Sequence, residues 1–181
     1  MTDICNYKLY KNVWVKRESP HFSLKISFDA ARKMLRGGGY LVRNIYDWDC
    51  PEEKQFWYLI KDNFGGIEEL PTKVRNQVRK ALKTYEYRRV GVEEMLEKGY
   101  EVYKQSRARF GSSVSYEQFA RRCENVKQDF WLGIHRETGV AECLAFNKPY
   151  ADYCDYVSMG VNPDAPKSSY PMYGLILEMN R

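Results

Sequence analysis

Histidine is nearly missing from this chain: only His21 and His135 occur, far apart. Cysteine is scarce too, and no pair among Cys5, Cys50, Cys123, Cys143 and Cys154 has CxxC spacing. A zinc site needs clustered thiolates or imidazoles, so no metal is expected. An odd cysteine count without a framework argues for reduced thiols in a cytoplasmic protein, with Cys143 and Cys154 as small buried fillers. No apolar run approaches the roughly 20 residues that cross a bilayer, so no membrane partner is expected. The opening MTDICNYKLYKNVWVKRESP lacks the apolar stretch of a secretory leader. Repeats and low-complexity tracts are absent. His135 reads as structural or exposed rather than catalytic.

What is present is aromatic and basic. Of 181 residues, 15% are aromatic, and the net charge is +5. Disordered chains are poor in aromatics, so this is a folded protein, long enough to bury a core. The positive excess permits an anionic partner without requiring one. It is concentrated in LPTKVRNQVRKALKTYEYRRV (70–90), where Lys73, Arg75, Arg79, Lys80, Lys83, Arg88 and Arg89 face a single acid, Glu86. Leu70, Val74, Val78, Ala81 and Leu82 recur there at helical spacing, with Pro71 in the first turn. The cations fall mainly on the other faces. They serve either as a solvated helix face or as a grip on an anion. Arg75 and Arg79 form an i, i+4 pair that repels unless an anion or carboxylate lies between them.

Periodicity organises the rest. NVWVKRE (12–18) and FSLKIS (22–27) read as short strands around a turn at Ser19-Pro20. DAARKMLRGGG (29–39) reads as a helix, with Asp29 as N-cap and Gly37 as its left-handed stop. YLVRNIY (40–46) and the buried QFWYLIKD (55–62) follow as strands, and YEYRRV (85–90) leaves the basic helix as another. Residues 92–110 are amphipathic with a glycine, Gly99, inside. Ser115 and Gln118 form a capping box for a helix whose apolar face is Phe119, Ala120, Cys123 and Val126. The period then changes to that of strands in DFWLGIHR (129–136), GVAECLAFNK (139–148) and ADYCDYVSMGV (151–161), an antiparallel meander. NPDAPKSSYP (162–171) is a loop without glycine, and MYGLILEMNR (172–181) begins a helix. This order points to an α/β or α+β domain. RGGGY (36–40) follows a helix and precedes a strand, the reverse of a phosphate loop, and is taken as a helix stop. The tyrosines of 150–156 read as hairpin or core packing, with base stacking as the alternative.

The order of helices, a meander ending in VNPD, a polar loop and a helix resembles the GNAT acyltransferase fold. Leu70, Lys73, Arg75, Arg79 and Lys80 resemble the basic motif that precedes the meander in its FemAB-like branch. FWYLIKDNFGGIEEL (56–70) is similar to that branch as well. The resemblance implies a single domain over 1–181. Residues 1–39 would be an extension and 40–181 a core incomplete at its C-terminus: a mixed, largely antiparallel sheet flanked by helices. It also implies transfer of an acyl group from acyl-CoA, acetyl-CoA being the expected donor, or from aminoacyl-tRNA, to an amine. Val161, Asn162, Lys167, Ser168, Ser169 and Tyr170 would hold the cofactor, at the loop and helix N-terminus that suit an anion. Ser168 and Ser169 serve equally as helix caps.

Lys73, Arg75, Arg79 and Lys80 would bind substrate, and tRNA enters as a partner through them. Such chemistry uses a base to take the proton of the incoming ammonium. Glu142 and Asp155 are the acids on the meander and so the catalytic candidates, solvent-facing strand positions being the alternative for both. Two other readings stand beside this one: a non-catalytic binding module, favoured by the glycine-free loop, and a nucleic-acid-binding protein using residues 73–89. An exposed sheet edge would also invite a homodimer.

Overall fold

The computed structural model describes residues 4–17, 22, 24–44, 61, 63–124, 128–151 and 153–181. They fall into two units, Met1–Lys61 and Asp62–Arg181.

The first unit is a three-stranded sheet, β1 (Tyr7–Tyr10), β2 (Val13–Lys16) and β3 (Leu41–Arg43). β1 and β2 are antiparallel across Lys11 and Asn12, whose φ values of 49° and 62° are both left-handed. Two such residues give the turn that matches the twist of its strands. Helix α1 (Phe28–Arg36) carries the chain over to β3, which runs parallel to β2. Strand β3, read from sequence within the 40–181 core, pairs with β2 in this first sheet. Three local expectations are corrected here. Residues 24–27 form no strand, because Ser27 caps α1 with its hydroxyl accepting from the Ala30 amide at 3.2 Å. Asp29 therefore sits in the first turn, not at the cap. Gly37 has a φ of −81°, and the left-handed conformation falls on Gly38 at 119°. The turn at Ser19-Pro20 and the expected strand at 55–62 lie outside the described residues, Lys61 excepted, and Lys61 is in no strand.

The second unit is a four-stranded antiparallel sheet in sequence order: β4 (Tyr85–Val90), β5 (Asp129–His135), β6 (Ala141–Pro149) and β7 (Cys154–Val161). This mixed α/β architecture, an antiparallel sheet flanked by helices, is the one the GNAT resemblance implies. Helices α2 (Thr72–Thr84) and α6 (Pro171–Met179) contact each other, and both pack against the sheet. The other face is covered by α3 (Val92–Glu94), a π-helical turn (Met95–Gly99), α4 (Tyr100–Ala108) and α5 (Tyr116–Cys123). The meander thus gains β4 as a fourth strand.

Both faces of the sheet are covered, and β6 is buried along most of its length. Phe130, Leu132, Leu144 and Phe146 pack against Met95, Val102, Tyr103 and Phe119 on one side. Cys143 and Ala145 meet Leu175 on the other, with Tyr87, Trp131 and Met172 around them. Burying such side chains contributes about 1.5–3 kcal/mol each and dominates the stability of this unit. The capping box at Ser115 and Gln118 is present. The thiol of Cys143 is buried as expected, but Cys154 is exposed. Tyr150 and Tyr153 stack on each other at 4.2 Å across the β6–β7 turn.

Candidate functional site

The chain converges on one polar cluster at the end of the sheet. Tyr85 opens β4, directly after α2, and its ring is fully buried. Its hydroxyl bonds a Glu142 carboxylate oxygen and lies 2.7 Å from the Ser169 hydroxyl. Ser169 donates onward to the Pro166 carbonyl at 2.6 Å. Tyr85 therefore ties β4 to β6 and to the short 3-10 turn (Lys167–Ser169) that leads into α6. His135, opposite Tyr85 in the ladder, sets its ring edge-on to Tyr85 at 5.4 Å.

A bulge aims Glu142 at this cluster. Gly133 pairs with Cys143, but Ile134 pairs with Ala141, so Glu142 is the extra residue of β6. Bulges of this kind re-aim a side chain. Strict alternation would send Glu142 to the face opposite Cys143. With the bulge, Ala141 packs among the residues of the α3–α5 face and Glu142 reaches Tyr85 on the α6 face.

Counting protons shows what the cluster can do. Tyrosine and serine each carry one hydroxyl proton, while the chain Glu142–Tyr85–Ser169–Pro166 contains three contacts. With Glu142 ionised, one contact lacks a proton. A proton arriving on Glu142 completes the chain, each hydroxyl donating to the next oxygen. Burial, and then the hydrogen bond to Glu142, push the Tyr85 phenol well above its ordinary range, so it keeps its proton. Tyr87, two residues on, is also pushed up by burial, and its hydroxyl has no hydrogen-bond partner among the described residues.

The other sequence candidates are distributed around this cluster. Asn162 donates its amide to the Glu142 carbonyl at 2.8 Å and accepts from the Asp164 amide at 2.9 Å, so its side chain shapes the turn. Val161 packs against the core on the α6 face. Ser169 is buried and committed to Tyr85 and Pro166. Lys167 and Ser168 are exposed. Tyr170 takes a left-handed φ of 55° at the start of α6. Asp155 faces Lys148 across the ladder, while Glu142 lies beside Asn162 at the other end of the same strand pair. At about 3.3 Å per residue the two carboxylates cannot share one reacting atom.

The basic row on α2 meets the carboxylate that its spacing calls for. Glu68 pairs with Arg75 at 2.7 Å and with Arg79 at 3.4 Å. Lys73, Lys80 and Lys83 are exposed and make no ion pair among the described residues. Beyond the groups expected from sequence, α2 and α6 enclose an apolar groove of about 200 Å³ lined by Leu70, Val74, Val78, Met172, Ile176 and Leu177. Sequence reasoning missed Tyr85 because a tyrosine at a helix–strand junction carries no local sign of partners 57 and 84 residues away.

Among the described residues no group of three or more His, Cys, Asp and Glu is placed to hold a metal ion, and no helix is long and apolar enough to cross a membrane.

No protein-family model and no curated protein matches the chain. Among solved structures it is similar to the C-terminal domain of a protein provisionally named a lysylphosphatidylglycerol synthetase, from Agrobacterium fabrum. The identity is 14% and the TM-score 0.45, with 60% of this chain and 36% of that one covered. The chain thus spans about a third of that chain's length.

Proposed function

We propose that Asp62–Arg181 is an acyltransferase-type domain of FemAB-like kind, moving an acyl group from acyl-CoA, or an aminoacyl group from a charged tRNA, to an amine. The observation that carries this reading is the Glu142–Tyr85–Ser169 chain, which joins a carboxylate on the sheet to the turn entering α6. In the reaction the amine nitrogen bonds to the acyl carbon. The C–S bond of the thioester, or the C–O bond of the ester, breaks and the sulfur or oxygen leaves with the electron pair. The proton shed by the nitrogen goes to Glu142, where it completes the proton chain, and is then returned to the departing thiolate or alkoxide, which is released as the thiol or hydroxyl. Lys167 and Ser168 are the exposed groups of the turn available to the donor's phosphates, and Lys73 and Lys80 add positive charge on α2. The apolar groove between α2 and α6 suits the hydrocarbon part of a donor. Asp155, distant from Glu142, has no part in the proton transfer.

The test is transfer of labelled acetyl from acetyl-CoA to a panel of amines, with donor binding read as thermal stabilisation. The expected result is stabilisation of both wild type and Glu142→Gln, with transfer lost only in the variant. Neither stabilisation nor transfer with acetyl-CoA or aminoacyl-tRNA refutes the reading. A second reading, a nucleic-acid-binding module, is favoured by the three cations on α2 without an acid. It predicts RNA binding that weakens steeply with salt and needs no Glu142. Within either reading the outer edge of β7, unpaired among the described residues, is the place where a homodimer would form.

A further inference from the structure

On the opposite face of the sheet, two arginines stand over one aromatic ring, and neither has a counter-ion among the described residues. The guanidinium of Arg107, on α4, lies 5.2 Å from the centre of the Tyr103 ring. That of Arg122, on α5, lies 5.7 Å from the same ring and 4.7 Å from Phe146. A terminal nitrogen of Arg107 donates to the Ser158 hydroxyl at 3.0 Å. Ser158 is the ladder partner of Phe146, so both guanidiniums meet over one patch of β6 and β7. Neither forms an ion pair with a carboxylate among the described residues. Arg122 also buries its Nε–H with no acceptor among the described residues.

Packing alone does not explain this. An arginine stacked on an aromatic ring gains from the contact while its N–H groups stay in water. Here one N–H is dry and unpartnered, and two like charges crowd a single ring. A buried donor without an acceptor is costly, and so is an uncompensated charge, so each calls for an oxyanion. The rings fix both guanidiniums in advance, and a fixed fork loses little freedom on binding.

We propose that Arg107, Arg122 and Ser158 form a binding site for an oxyanion, the carboxylate or phosphate group of a small molecule, on the α4–α5 face of the sheet. The site is independent of the acyltransferase reading, which uses the α6 face. The test is an NMR titration of the arginine Nε–H resonances in the full chain at constant ionic strength. Inorganic phosphate and succinate are the separate probes. The Arg122 Nε–H resonance is expected to shift saturably with at least one probe, and the responding probe identifies the oxyanion. Arg107→Gln is expected to weaken that response at least tenfold, while Arg36→Gln, exposed on α1, leaves it unchanged. Should a variant fail to fold, the wild-type titration decides by itself. A linear, unsaturated shift with both probes, or equal weakening by Arg36→Gln, overturns the proposal.

Discussion

Two tyrosines on one strand give a controlled test of the polar cluster. Tyr85 and Tyr87 lie on the same face of β4, their rings 5.9 Å apart, and both phenols are buried. They differ in what their hydroxyls touch. Tyr85 bonds Glu142 and Ser169, whereas the Tyr87 hydroxyl has no partner among the described residues. Replacing either by phenylalanine keeps the ring and deletes one oxygen. A hydrogen bond to a charged group contributes about 1.5–3 kcal/mol. Glu142 is only partly buried, so water recovers some of that loss. Tyr85→Phe should therefore cost about 2 kcal/mol, or roughly 5–10 °C in melting temperature for a domain of this size. Tyr87→Phe removes an unsatisfied buried oxygen and should be neutral, or stabilising by up to about 1 kcal/mol. Because the chain has two units, a single melting curve need not be two-state. Amide hydrogen exchange along β5 reads the second unit alone. Equal losses in the two variants, or a Tyr85→Phe loss below about 0.5 kcal/mol, would refute the reasoning.

Two further predictions concern packing and acid stability. A Cβ placed on Gly174 of α6 would lie 2.4–2.5 Å from Tyr87 ring atoms and its hydroxyl. The usual gain of about 1 kcal/mol for Gly→Ala in a helix is then outweighed, and Gly174→Ala should lower stability by about 2 kcal/mol in urea denaturation. A stabilised variant would mean that the ring moves freely. Glu94 receives both terminal nitrogens of Arg88, and Lys98 at 2.9 Å. The Arg88 hydrogen bonds first, and then Lys98, hold its carboxyl down at about 2, against 4.5 for an ordinary glutamate. A lowered carboxyl stabilises the fold above pH 4.5 and loses that contribution as pH falls through about 2. The stability difference between wild type and Glu94→Gln should shrink across that interval. A difference that stays constant with pH removes the ion pair as its cause.

Sequence legibility followed the range of the cause. The strands of 129–161 are short apolar and aromatic runs bounded by turn residues, and the Ser115 cap needs only Gln118, so both could be read locally. The i, i+4 pair Arg75–Arg79 announced a missing anion, but Glu68, which supplies it, lies outside the helix repeat. Strand β1 escaped notice because it buries only Tyr7 and exposes its other three residues. The helix of 92–108 is interrupted by a π-turn where Gly99 lies tight against Met95 and Phe119, a packing consequence that the glycine hinted at without locating. Glu142 was legible as an acid on a strand, but its facing was not. One unpaired residue reverses every side chain beyond it, and periodicity carries no sign of the slip.

Both polar clusters stand beside an irregularity of β6, one in its pairing with β5 and the other in its pairing with β7. The first bulge leaves Glu142 unpaired opposite Gly133 and Ile134. The second falls between Phe146 and Asn147, where the partners step from Ser158 to Tyr156 and Val157 is left over. Ser158, held by Arg107, borders the second irregularity, as does Asn147, a buried amide whose Oδ1 has no partner among the described residues. A regular ladder would have satisfied more backbone groups and kept β6 uniformly apolar. A bulge gives up ladder bonds locally, and in return it sets a side chain at an angle the pleat does not allow. Two such exchanges, each next to a polar group that the hydrophobic core has no use for, turn Glu142 of β6 toward Tyr85 and leave Ser158 of β7 facing Arg107 of α4.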